Sequence, residues 1–168
     1  MSSDNTKSIV VSLTRQRLTL KDGAAVIAEY PVSTSAFGPG ELEGSQCTPR
    51  GAHVVDELIG DGEPEGAVFV GRVPTGEVWS AQLAADEPER DWVLSRVIWL
   101  AGTEQGQNAG ERDGTSCDTR SRYIYIHGTA PDAPLGVPYS HGCVRMNPAD
   151  VISLYDQLDT GIPVLIEP

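Results

Sequence analysis

Cysteine is scarce in this chain: Cys47, Cys117 and Cys143 are the only three in 168 residues. So few, so widely scattered, they exclude the disulfide framework that staples many small secreted domains. One crosslink, Cys47 with Cys117, stays open if Cys143 is to be free; the other reading is two inert thiols and one reactive thiol. Basic residues are also few, 12 Lys and Arg against 24 Asp and Glu, for a formal net charge of −12. Such a surface repels phosphate backbones and anionic bilayers, which argues against nucleic acid and membrane as general partners. A small anionic substrate is still compatible with a local basic patch, for which Arg120, Arg122 and Arg145 are the candidates. No apolar run reaches membrane-spanning length, and the stretch from Met1 to Lys7 has no basic segment leading into an apolar one. As written, the chain is expected to be soluble and cytoplasmic; a leader already removed, or leaderless export to the cell envelope, would leave the same sequence. Internal repeats and low-complexity linkers are absent as well. The length then predicts one domain over 7–168, after a flexible N-terminus over 1–6.

What is present is mostly strand-like. Ile9, Val11 and Leu13 alternate with period two, as do Leu18 and Leu20, and Asp22-Gly23 has the chemistry of a tight hairpin turn. The first thirty residues therefore predict a three-strand meander ending near Pro31. Positions 35–51 are rich in Gly, Ser and Pro and predict a long loop, functional or mobile. Short strands are expected at 53–59, 67–72 and 92–100, the last apolar on both faces and hence central, with a helix as its alternative. Positions 102–121 predict little regular structure and a place beside the site. The aromatic and β-branched run Tyr123-Ile124-Tyr125-Ile126 predicts a buried strand that delivers His127 to its end, where Gly128 lets the chain turn. Asn147-Pro148-Ala149-Asp150 has the chemistry of a helix start, with Asn147 as cap, Pro148 in the first turn and Asp150 near the positive end of the dipole. Val151, Leu154, Tyr155 and Leu158 follow at helical spacing, Gly161 ends the run, and 163–166 predicts a last strand. The expected fold class is mainly β, a sandwich or barrel with one short helix.

The chemistry concentrates between His127 and Cys143. A cysteine thiol is largely protonated at neutral pH and needs an imidazole or a helix N-terminus to become a nucleophile. Cys143 has both within reach: it precedes the expected helix, His141 is two residues before it, and His127 comes from a separate strand end. Gly142 leaves space for a substrate carbonyl, and the amides of Gly142 and Cys143 are candidates for an oxyanion hole. The same residue types suit zinc, with His127, His141, Cys143 and Cys117 as ligands. Against that reading, no Cys-x-x-Cys or closely spaced His pair is present.

Two segments, His127-Gly128-Thr129 and Ser140-His141-Gly142-Cys143-Val144-Arg145-Met146, resemble the L,D-transpeptidase catalytic domain of the YkuD type. The opening Ile9–Leu18 segment and Thr48-Pro49-Arg50-Gly51 are similar to further elements of that family, so the resemblance runs from about Lys7 to Ile166. It implies an L,D-transpeptidase-type β-sandwich and acyl transfer on peptidoglycan stem peptides without metal or organic cofactor. A thiolate would attack the bond after the third residue of a donor tetrapeptide, expel terminal D-alanine, and be released from the thioester by an acceptor amine. Position by position, Cys143 would be the nucleophile, His127 its base and Gly128 the residue whose carbonyl orients the imidazole. His141 would support the site. Arg145, where many members carry Asn, would pair with a substrate carboxylate, and Ser140, Thr129 and Tyr125 complete the expected substrate contacts. The resemblance also implies acylation of Cys143 by carbapenems, and muropeptides as partners. Water in place of the amine would make the protein an L,D-carboxypeptidase. A reading of another class is a peptidoglycan-fragment binding domain without turnover, against which the intact His127 and Cys143 pair argues.

Overall fold

The computed structural model describes residues 6–168; most of the expected flexible terminus, residues 1–5, lies outside the described part. Twelve strands and two helices follow in chain order: β1 Lys7–Ser12, β2 Arg17–Asp22, β3 Ala25–Pro31, β4 Gly51–Ile59, β5 Ala67–Val70, β6 Val73–Val78, α1 Ala81–Asp86, β7 Leu94–Gly102, β8 Glu111–Arg112, β9 Thr115–Ser116, β10 Tyr125–Gly128, β11 Val144–Met146, α2 Pro148–Tyr155 and β12 Pro163–Glu167. The fold is mainly β, as the alternating runs predict.

One large mixed sheet has the order β11-β10-β7-β4-β12-β1-β2-β3, with β5 and β6 branching from β7. The first three strands form the expected meander, and Gly23 takes the positive φ of 60° that its turn requires. Leu18, Leu20, Ile9 and Val11 point into the core and their alternates outward, so period two converts directly into one buried face. β7 lies between β10 and β4 and is buried from Leu94 to Leu100, which settles the strand-or-helix ambiguity of that run. A strand covered on both faces carries no polar alternation, hence the ambiguity. β12 inserts between β1 and β4, parallel to β1, so the last strand locks the first.

The sheet curls until its ends meet. Just past β3, Ser33 pairs with Arg145 of β11, donating and accepting backbone bonds of 2.9 Å each. The enclosed core joins Ile9, Leu18 and Val164 from one half to Ile98, Ile126 and Val144 from the other, and α2 closes it with Val151 and Leu154. Burying each such aliphatic side chain stabilises the fold by about 1.5–3 kcal/mol; truncating Ile126 to alanine removes about 2–5 kcal/mol.

Several expectations are corrected. Tyr123 and Ile124 precede the strand; Tyr123 has a φ of 59° and belongs to a turn whose amide bonds back to the Arg120 carbonyl. The segment 102–121 contains a small hairpin, β8–β9, stacked onto a buried ion cluster. A second helix, α1, is capped by the Ser80 side chain, which accepts from the Leu83 amide at 3.0 Å. Its six residues are too few to show a periodic apolar stripe. The helix predicted at Asn147 forms, with the Asn147 side chain accepting from Ala149 and Asp150, but it ends at Tyr155, before Leu158. All three cysteines are free thiols, so no Cys47–Cys117 crosslink is present.

Candidate active site

β10 and β11 run parallel, with Ile126 beside Val144 and His127 beside Arg145. Ile126 and Val144 are fully buried in the core. By the alternation of strand side chains, Tyr125, His127, Cys143 and Arg145 then belong to the opposite face. The Tyr125 amide donates to Cys143 Sγ at 3.3 Å, and the thiol reaches the Tyr123 carbonyl at 3.4 Å. The sulfur is thus held at the start of β10, two residues along the strand from the imidazole that the same strand carries.

His127 is buried, and its Nδ1 lies 2.7 Å from the Gly128 carbonyl. A carbonyl only accepts, so Nδ1 carries the proton and Nε2 is left as the basic nitrogen. The Gly128 carbonyl thus orients the imidazole as the resemblance implies, but the glycine is not there for a sharp turn. Its backbone is not in the left-handed region; instead a Cβ there would lie 2.4 Å from the Leu94 carbonyl, at the irregularity where β10 meets β7. Gly142 does need its freedom: its φ is 131°, and an added Cβ would press on Ile124 at 3.3 Å.

Burial dominates the electrostatics of the site. Burial pushes the Cys143 thiol up to about 11, offset in part by the Tyr125 amide; Asp91 adds to the rise, while Arg145 and Arg122 oppose it. Burial likewise holds His127 below the ordinary imidazole value, against the opposing pull of its bond to Gly128 and of Asp91. The resting pair is therefore a neutral thiol beside a neutral imidazole. At the start of α2 the amides of Ala149 and Asp150 are taken by Asn147 Oδ1, so neither donates a hydrogen bond to the sulfur.

The loop around the thiol is braced from two sides. Ser140 is fully buried; its hydroxyl donates to the Cys143 carbonyl at 2.6 Å and accepts from the Gly142 amide at 3.3 Å. It shapes the loop, where a substrate contact was expected, and it engages one of the two amides expected to form an oxyanion hole. Thr48, from the Thr-Pro-x-Gly element, donates its hydroxyl to the Gly142 carbonyl at 2.9 Å and accepts from the Ser35 amide. The long loop 35–51 is thereby a structural buttress of the site.

The other expected residues divide. His141 is exposed, tilted against the Phe37 ring with centroids 6.3 Å apart. Thr129 is buried and anchored through its amide to the Met146 carbonyl. Tyr125 accepts a bond from Arg72 at 3.0 Å and packs edge-on against Trp99. A cleft of about 600 Å³ borders the site, walled in part by Arg90, Asp91, Thr129, Tyr139, His141 and Arg145. The anticipated basic patch does not assemble. Arg120 pairs with Asp56 and Glu57, Arg122 donates to the carbonyls of Glu41 and Cys47, and Arg145 pairs with Asp91 at 3.0 Å. Asp91 carries no motif and was not anticipated; nor were the exposed rings of Phe37, Tyr123 and Tyr139 around the site. Among the described residues no group of three or more His, Cys, Asp or Glu side chains is placed to hold a metal ion, so the zinc set of His127, His141, Cys143 and Cys117 does not gather. Among the same residues no helix is long and apolar enough to cross a membrane.

Fold and site together define a curled mixed-sheet domain that carries an imidazole on one strand and a thiol just before its parallel neighbour. The family model of the L,D-transpeptidase catalytic domain, YkuD, matches residues 6–166, and the chain belongs to that family. Similar solved structures include an L,D-transpeptidase from Mycobacterium smegmatis, at 18% identity and a TM-score of 0.54 over 97% of this chain and 59% of that one. L,D-transpeptidase 3 from Mycobacterium tuberculosis, solved with a faropenem-derived adduct, is similar at 18% identity and a TM-score of 0.51, covering 97% and 60%. An L,D-transpeptidase in complex with imipenem matches at 17% identity and a TM-score of 0.53, covering 96% and 58%. The chain thus spans less than two thirds of the length of each. No curated protein matches it.

Proposed function

We propose that the protein is a cysteine-dependent L,D-transpeptidase that acts on peptidoglycan stem tetrapeptides through a thioester. The observation that carries this reading is the polarity of His127: Nδ1–H is tied to the Gly128 carbonyl, so Nε2 is the free base on the face that holds Cys143. Burial keeps both groups neutral at rest, so the thiol gives up its proton as the substrate arrives.

In the first half-reaction Cys143 Sγ attacks the carbonyl of the third stem residue while its proton passes to His127 Nε2. The carbonyl oxygen becomes an oxyanion, received by the amides of Gly142 and Cys143; the Gly142 amide leaves Ser140 Oγ, to which its bond is long. Collapse breaks the carbon–nitrogen bond, and His127 returns the proton to the departing D-alanine amine. In the second half-reaction an acceptor amine attacks the thioester, loses its proton to His127, and the thiol leaves protonated. Arg145 holds a substrate carboxylate, with the exposed rings of Phe37, Tyr123 and Tyr139 as walls for the peptide. The faropenem-derived adduct and the imipenem complex named for two related structures support the reading that penems and carbapenems acylate Cys143.

Intact-mass analysis tests this. A tetrapeptide stem with added D-amino acid should yield exchanged product, and imipenem should add to Cys143 and not to Cys143→Ala. Release of tripeptide alone would make the protein an L,D-carboxypeptidase. A protein that binds stems yet neither turns them over nor accepts imipenem would overturn the reading in favour of a binding domain.

A further inference from the structure

Arg145 is placed two residues after the nucleophile, with its side chain nine-tenths buried, and a buried guanidinium needs a counter-charge. Its partner comes from a distant part of the chain, the segment between α1 and β7. There Arg90 is fastened to Glu77 and Glu87 and lies over the Trp92 ring, itself buried, so Asp91 is pinned on both sides of its backbone. The Asp91 side chain itself is 62% exposed and reaches Arg145 through one oxygen on one nitrogen, at 3.0 Å. Among the described residues this is the single side-chain hydrogen bond of Arg145. A guanidinium binds a carboxylate best through two parallel bonds, so this contact leaves most of the fork's capacity unmet at the wall of the cleft.

We infer that Asp91 is a built-in, displaceable occupant of a carboxylate seat on Arg145, and that it tunes specificity by competing with an incoming carboxylate for that seat. The inference rests on the proposed function in giving Arg145 a substrate carboxylate. An exposed, one-point partner gives way to a ligand that can engage both arms, whereas a neutral amide cannot offset the loss of the resident charge. Asp91 thus keeps the buried cation neutralised between turnovers and, as a competitor for the same fork, tempers the preference of the seat for free acids over carboxamides. It touches no reacting atom and acts through Arg145, as a positioning residue.

The test uses two isosteric reagents, iodoacetate and iodoacetamide, with modification of Cys143 followed by peptide mass so that Cys47 is counted separately. Any change in thiol nucleophilicity affects both reagents alike and cancels in the ratio of their rates. Asp91→Asn should raise the iodoacetate-to-iodoacetamide ratio about five- to tenfold. Asp132→Asn, which removes another carboxylate of the same cleft, should leave the ratio within about twofold of wild type. In an Arg145→Gln background, Asp91→Asn should have no effect on the ratio. An unchanged ratio in Asp91→Asn, or an equal rise in Asp132→Asn or in the Arg145→Gln background, overturns the inference. If Arg145→Gln fails to fold, the comparison of the two aspartate variants decides alone. Alkylation requires no turnover, so failure here is distinguishable from failure of the transpeptidase reading, which stem-peptide assays test. With active enzyme, Asp91→Asn should lower KM for donors bearing a side-chain carboxylate and leave KM for their carboxamides unchanged.

Discussion

Ser33 and Arg145 exchange two backbone hydrogen bonds of 2.9 Å, and this exchange joins the two ends of a sheet that would otherwise lie open. β11 is only three residues long, yet it is held by β10 on one side and by Ser33 on the other. The residues that flank the thiol are therefore fixed by backbone geometry more than by their own side chains. Rigid support of this kind is what a positioned nucleophile and base require.

His127→Ala should lower kcat/KM by at least a hundredfold, because it removes the basic nitrogen that the Gly128 carbonyl directs. Cys143→Ser should abolish turnover with an unchanged circular dichroism spectrum. A loss below about tenfold for His127→Ala would transfer the base role to the exposed His141.

The pH profile follows from the direction of each shift. The active state has neutral His127, whose value lies below the ordinary imidazole, so kcat/KM should fall only as pH drops beneath about 6.5. A midpoint above neutrality would contradict a buried, neutral base. Steady-state rates from pH 4.5 to 9 measure this limb.

Stability has its own window. His53 and His127 are both lowered by burial, so below about pH 6.5 the unfolded chain takes up protons that the fold refuses. Stability then falls as pH drops. Cys143 acts at the other end: the folded thiol keeps its proton up to about 11, while the unfolded one begins to lose it near ~8.5, so stability also falls as pH rises through that range. Thermal denaturation should give a Tm maximum between these limbs, and Cys143→Ser should flatten the alkaline one.

Thr48→Val should cost about 1–3 kcal/mol, because the Gly142 carbonyl and the Ser35 amide each lose the hydroxyl that pairs them. The same change loosens the loop before the nucleophile, so kcat should fall more than KM rises. Urea unfolding and single-turnover kinetics separate the two effects.

Glu41→Gln probes the other buttress. This fully buried carboxylate pairs with Arg50 at 2.8 Å and Arg112 at 3.2 Å, tying loop 35–51 to β8. Both arginines are more than a third exposed or nearly so, which screens the loss, and a destabilisation of about 2–3 kcal/mol is expected. Urea midpoints with and without added salt check it.

Much of the site can be read in a linear chain because its chemistry is local. The glycines beside His127 and Cys143, the helix cap at Asn147 and the alternation of Ile9, Val11, Leu18 and Leu20 are each set by a few neighbouring residues and the rules of their backbone. Amino-acid order alone thus determined the strand-rich class, the helix start and the segment that holds the thiol and imidazole. Other features arise where distant segments meet. The union of Ser33 with Arg145, the support of Gly142 by Thr48, the close approach of Gly128 to Leu94 and the pairing of Asp91 with Arg145 depend on sheet closure across many tens of residues. Only the tertiary structure decided them, and with them the neutral state of the thiol. Burial and the charges within a few ångströms are properties of the packed chain, which no local pattern of residues encodes.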